Sequence, residues 1–272
     1  MTDMVVYREY RAEDIPALSA LWKECFGDSD GFIRKFFAAL PSIGGGAAAE
    51  IGGELAGAAY AITAQELITP CGGARRVGYI YGVGVHERFR GLGAGIGVTQ
   101  AAASLARSMG AEIIATLPAD EELYNFYEGT LNARRRLCRE RICIRPHGGA
   151  QILRLDAAEY LRRREVMLAG RTHLRLDGAA MAFEEAMLAE YSGGLFAAGG
   201  GIAAAYLDGG HALIPELLLP AGQSDIHEYA GAVCAALGAA AGQLLLPAIH
   251  GESYIAADCD IPADCIWNLS FD

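Results

Sequence analysis

The chain has 272 residues, enough for one large or two modest domains, and 53% of them are apolar. Its 33 acidic against 22 basic side chains leave a formal net charge of −11, which repels nucleic-acid phosphates and argues against a nucleic-acid partner. No apolar run is long enough to span a bilayer, and Met1-Thr2-Asp3-Met4 offers neither a basic n-region nor a signal h-region, so neither a membrane partner nor secretion is expected.

Residues 7–25 (YREYRAEDIPALSALWKEC) read as a strand and then a helix that Asp14 can cap, with apolar residues at 15, 18, 21 and 22. Residues 33–40 suggest a second short helix. Residues 47–51 and 55–61 straddle Gly52-Gly53, a hairpin signal. Gly44-Gly45-Gly46, like Gly199-Gly200-Gly201 later, reads as a loop tip. Residues 79–85 alternate as a strand, and 96–109 have helical spacing with Gly110 as the stop. Residues 112–117 form the next strand, 123–128 start another helix, and 134–144 supply closing strands.

Between Val85 and Ile96 lies His86-Glu87-Arg88-Phe89-Arg90-Gly91-Leu92-Gly93-Ala94-Gly95, a basic, glycine-dense turn from a strand into a helix. Helix N-termini gather unpaired N–H groups, glycines let a phosphate approach them, and Arg88 and Arg90 add charge for a di-anion. The turn therefore reads as a pyrophosphate cradle. A dinucleotide fingerprint does not fit, because Ile96 and Val98 stand where its last glycine would be, and no P-loop lysine follows. What does fit is Arg90-x-x-Gly93-x-Gly95, preceded by Val83-x-Val85.

That pattern resembles the acyl-CoA signature of the GNAT superfamily of N-acetyltransferases. The element order β-α-α-β-β-β-α-β-α-β over residues 4–145 is similar to theirs. The resemblance implies an α/β fold with a mixed (α+β) sheet, and an acetyl-CoA-binding catalytic domain at residues 1–147. It implies acetyl-CoA as cofactor, with the backbone of Val83, Gly84 and Val85 along the pantetheine arm. Arg90, Gly91, Leu92, Gly93, Ala94, Gly95 and Ile96 match the pyrophosphate site. The implied reaction moves an acetyl group to a primary amine of a small molecule or peptide, and the acidic chain suits a cationic amine. The family's proton donor is commonly a tyrosine in a pattern like Phe126-Tyr127-Glu128, which makes Tyr127 the candidate general acid and Tyr124 its substitute. Asp120 stands where the family often has an asparagine that contacts the cofactor.

The base stays open. Many relatives carry a glutamate on the strand before the loop, but residues 79–85 hold no acid. Glu50, His86, a water chain and the carboxylate of Asp272 are the alternatives. Ser224, Asp225 and His227 cluster at a helix start, which suits a cap better than a hydrolase triad. A catalytically silent acyl-CoA-binding sensor or interaction protein is the alternative function.

Residues 148–272 give a strand at 151–155, a helix at 157–168 and a hairpin at 195–198 and 202–207. A strand at 213–219, a helix at 225–237 and a strand at 243–249 follow. Strand, strand, strand, helix, strand repeats the order between residues 47 and 117, so this half resembles a degenerate second GNAT-like lobe. Its turn Pro220-Ala221-Gly222-Gln223-Ser224 is five residues, against nine from His86 to Ala94, with one glycine and no arginine. A pyrophosphate has little to bind there. The seven cysteines form no C-x-x-C, and their odd, scattered count points to reduced thiols in a cytoplasm, with no zinc site expected.

Overall fold

The computed structural model describes residues 4–222, 225–269 and 271, which group into two units. Unit 1 runs to Glu66 and then takes Arg75–Arg136 and Tyr254–Ile261; unit 2 takes Leu67–Ala74, Leu137–Ser253 and the residues from Pro262 on. Among the described residues no helix is long and apolar enough to cross a membrane.

The first half of the chain forms, in order, β1 (Val6–Glu9), α1 (Ile15–Phe26), α2 (Asp30–Ile43), β2 (Gly44–Ile51), β3 (Glu54–Ile62), β4 (Gln65–Ile68) and β5 (Ala74–Val85). Then come α3 (Ala94–Ser108), β6 (Ile113–Thr116), α4 (Glu121–Leu131) and β7 (Arg135–Ile144). The sheet of unit 1 is mixed. β1, β2, β3 and β5 pair antiparallel in that order, and β5 pairs parallel with β6. Alanine at 47, 49, 56, 59 and 61 lets α3 settle closely on one face, where Val98, Ala102 and Ala106 are fully buried. Successive strand residues point to opposite faces, so Tyr60 turns away from α3 into a ring cluster. Trp22 lies 4.5 Å from Phe36, 5.3 Å from Tyr60 and 5.8 Å from Tyr81 between ring centroids.

Two local expectations are corrected. Gly44-Gly45-Gly46 is not a loop tip but the start of β2, paired with Ile62, Ala61 and Tyr60. The glycines are there for close packing: a Cβ at Gly44 would fall 1.9 Å from the Ala61 carbonyl oxygen. Asp14 precedes α1 without capping it, because its carboxylate is taken by Arg8 at 2.6 Å and by the Arg11 N–H at 2.7 Å.

The second half forms β8 (Ile152–Leu155), α5 (Ala157–Met167), β9 (His173–Leu176), α6 (Gly178–Glu190) and β10 (Gly194–Ala198). β11 (Gly201–Asp208), β12 (His211–Leu218), α7 (Ile226–Ala236), β13 (Ala241–Ala248) and β14 (Glu252–Ala257) follow. β8, β10, β11 and β12 pair antiparallel in turn, and β12 pairs parallel with β13. Apart from β9 between α5 and α6, and β4 between β3 and β5, both halves run strand, two helices, three antiparallel strands, helix and parallel strand. The units divide at Arg136/Leu137 rather than at 147/148, since β7 from Cys138 to Ile144 pairs antiparallel with β13. Residues of β14 return to unit 1, where Ala256 and Ala257 pair with Thr116 and Ala115 of β6.

Candidate cofactor site

The site is built on β5. Its register against β3 breaks between Ala58↔Gly84 and Tyr60↔Tyr81, so Gly82 and Val83 share one partner, Ala59. This is a β-bulge, and Gly82 serves it with φ of +57°. A Cβ there would press on Trp22 and Tyr60 at 3.1 Å. On the opposite edge, the parallel register with β6 ends at Ile80↔Thr116, where β6 itself ends. β5 runs on through Val83, Gly84 and Val85, beyond the end of β6. A ligand with amide groups can add along such an edge as a further strand does.

The loop turns into α3 at Gly93, in the left-handed region with φ of +83°, after Gly91 at +79°. A Cβ on either glycine would project into open space, so backbone conformation rather than crowding requires them. No side chain caps α3, and Gly97 is the residue whose N–H reaches back to the Gly93 carbonyl, at 3.2 Å. The N–H groups of Ala94, Gly95 and Ile96 precede the first intrahelical bond and are left for an anion. Leu92 and Ile96 are about half exposed beside them. Gly95 is helical, and its absent Cβ would be 3.5 Å from Val85 Cγ2. The residues present fit a pyrophosphate: uncapped N–H groups, glycine at the turn, and Arg90 anchored through Nε to the Val85 carbonyl at 3.2 Å.

Tyr127 is buried on α4, near the Thr116 side chain at the end of β6. Thr116 in turn donates to the Ile80 carbonyl at 2.9 Å, the last paired residue of β5. Burial raises the Tyr127 pKa, with the Thr116 contact as the smaller opposing influence, so the phenol stays protonated. Tyr124 is also buried, beneath the Arg136 guanidinium at 4.3 Å from its ring. Asp120 is the N-cap of α4, its carboxylate accepting the Leu123 N–H at 2.9 Å.

The candidate bases are committed elsewhere. Glu50 accepts from Arg8 Nε at 2.9 Å. His86 Nδ1 meets Glu24 at 2.5 Å. Asp272 and Ser224 lie outside the described residues. Asp225 caps α7 at the Glu228 N–H, 3.0 Å, and the His227 carbonyl accepts from His147, so the cap reading of that cluster holds for the described members. Sequence reasoning missed Glu24, Cys25 and Thr116. Cys25 Sγ sits 3.8 Å from the Val85 carbonyl, and its thiol pKa is pushed up by burial. Thr116, a lone hydroxyl closing an apolar strand, was the one legible signal.

Residues 7–131 match the family model described as Acetyltransferase (GNAT) family. No curated protein matches the sequence. A GCN5-related N-acetyltransferase from Kribbella flavida is similar in fold, with 16% identity and a TM-score of 0.68 over 94% of this chain and 71% of that one. Another from Anabaena variabilis gives 13% and 0.66 over 93% and 72%. Eis1 from Mycobacterium abscessus gives 13% and 0.56 over 93% and 73%. The GNAT family model thus matches residues 7–131, a little under half of the chain, and the chain shares the mixed α/β fold of these GCN5-related N-acetyltransferase structures.

Proposed function

We propose that the chain is an acetyl-CoA-dependent N-acetyltransferase acting on a primary amine of a small molecule or peptide. The observation that carries this reading is the uncapped, arginine-flanked N-terminus of α3 beside a bulged β5 that outruns β6. Acetyl-CoA, when bound, supplies the activated acyl thioester. The N–H groups of Ala94, Gly95 and Ile96, together with Arg90, bind the pyrophosphate. The backbone of Val83, Gly84 and Val85 orients the pantetheine arm and offers an N–H to the developing oxyanion. Tyr127 holds the proton required by the departing sulfur, and its buried phenol is suited to that as long as it stays neutral. The second half serves as a degenerate GNAT-like lobe, on the strength of its repeated strand order and its short, arginine-free turn. A cytoplasmic location agrees with seven free thiols.

A second reading has its own observation. Residues 79–85 contain no acid, and Glu50 and His86 are both held by partners. A silent acyl-CoA-binding protein would show that pattern. Calorimetric titration with acetyl-CoA and CoA, beside Gly93→Val, tests binding. Thiol release across a panel of amines then tests transfer. Binding lost in the variant, with thiol release for some amine, supports the enzyme. Binding without release from any amine supports the silent reading, and no binding to the folded parent overturns both.

A further inference from the structure

Unit 2 repeats the site-forming bulge of unit 1. The register of β11 against β12 breaks between Ala204↔Glu216 and Tyr206↔Leu213, as that of β3 against β5 breaks between Ala58 and Tyr60. β12 therefore stands in unit 2 where β5 stands in unit 1. Its parallel register with β13 ends at Ile214↔Leu244. Beyond that point Leu217 and Leu218 of β12, with Leu246 and Pro247 of β13, wall a cavity of about 300 Å³. Crevices at the carboxyl ends of parallel strands are the customary ligand sites of such sheets, and this volume suits a small molecule.

The chemistry at the mouth is specific. Ile266 forms a parallel bridge with His173, its N–H donating to the Thr172 carbonyl at 3.0 Å while its carbonyl accepts from Leu174 N–H at 2.9 Å. Two residues before the bridge on each chain stand Arg171 and Asp264, and both line the cavity. Both are exposed, and neither is in a salt bridge among the described residues. Asn268, also lining, adds an amide that can donate or accept. We propose that this cavity binds a free α-amino acid with an apolar side chain, its carboxylate on Arg171, its ammonium on Asp264, and its side chain against the leucine walls. A simple carboxylate would leave Asp264 repelling it, and a simple amine would do the same with Arg171. The zwitterion satisfies both at once. A phosphorylated ligand is disfavoured, because no arginine stands in the turn after β12.

The site is independent of the acetyl-transfer reading, and its test separates the two. The full chain is titrated with L-leucine, with 4-methylpentanoate and with 3-methylbutylamine, as parent, Arg171→Met and Asp264→Asn. One equivalent of leucine should bind, and each half-ligand and each variant should lose about tenfold in affinity, the size expected for one charge-assisted contact. Absence of leucine binding, equal binding of a half-ligand, or unchanged affinity in both variants would overturn the proposal. Thermal unfolding confirms that the variants are folded, and acetyl-CoA titration of the same proteins reports on unit 1 alone.

Discussion

Glu24 Oε2 lies 2.5 Å from His86 Nδ1, and Oε1 of the same carboxylate accepts the Glu87 N–H at 2.9 Å. One side chain in the last turn of α1 thus holds the exit of β5, where the candidate cofactor loop begins. Cys25 beside it lies under the Val85 carbonyl, which Arg90 also engages. We expect Glu24→Ala to weaken CoA binding about tenfold, roughly the loss of one charge-assisted bond. The melting temperature should hardly move, because the pair is exposed. Glu24→Gln, which keeps an acceptor for Glu87, should recover part of the affinity. The Glu87 bond, and next the His86 contact, hold the Glu24 carboxyl below its ordinary range. The clamp is therefore complete above the unperturbed carboxyl pKa of about 4.3 and is lost as pH falls through the lowered value. Amide exchange at Glu87 across that window would follow its release.

The three loop glycines should behave differently. Gly93 has φ of +83°, so Gly93→Val carries roughly 1–2 kcal/mol of left-handed strain and places a branched side chain where a phosphate would approach. Loss of CoA binding together with lower stability is expected. Gly91→Ala should carry similar strain, at φ of +79°. Gly95 is helical with ordinary space at its Cβ. Gly95→Ala should keep CoA binding and gain roughly 0.5–1 kcal/mol from the better helix former. Paired denaturation and titration curves for the three variants would separate backbone need from ligand clearance.

This contrast marks what the sequence could reveal. The glycine turn, the helix after it and the closing strands were legible because glycine spacing and apolar periodicity are local signals. The bulge at Gly82 was not, since it exists only in the register of β5 against β3. The Glu24 clamp joins residues 62 positions apart, which no local pattern encodes. Gly44-Gly45-Gly46 misled because glycine packed under a neighbouring strand looks, in one dimension, like glycine in a turn. Helix α6 went unread because its buried residues Ala180, Met181, Phe183, Glu184, Met187 and Leu188 do not form a single-sided apolar stripe.

Tyr127→Phe removes only the buried hydroxyl near Thr116. If Tyr127 is the acid, turnover should fall about 10²-fold, the low end for a positioned proton donor, with CoA affinity unchanged. Because burial raises the phenol's pKa, ionisation of Tyr127 should not limit turnover until pH exceeds the ordinary tyrosine value of about 10. A break in the pH profile of turnover well below that value, present in both the parent and Tyr127→Phe, would belong to a different ionisation. Unchanged turnover in Tyr127→Phe would move the role to Tyr124 or water.

The repeated bulge also predicts where unit 2 is most fragile. Glu216 faces Ala204 as Gly84 faces Ala58. In unit 1 that place is a glycine, where a Cβ would meet Cys25 Sγ at 3.0 Å. In unit 2 it is a fully buried carboxylate that accepts from Arg164 Nε at 2.9 Å and from the Tyr160 hydroxyl at 2.9 Å. Arg164 is buried too and spends Nη1 on the Leu174 carbonyl at 2.6 Å. Removing Glu216 leaves the buried guanidinium with only the longer Glu165 contact, at 3.7 Å, as counter-charge, so Glu216→Ala should cost about 3 kcal/mol in urea unfolding of unit 2. Replacing the whole cluster with Glu216→Leu, Arg164→Met and Tyr160→Phe should recover most of that loss, because burying two charges already costs much of what their attraction returns. If the triple variant is as unstable as Glu216→Ala, the cluster stabilises unit 2 by more than mutual compensation. If Glu216→Ala is neutral, water reaches Arg164 and the burial argument fails.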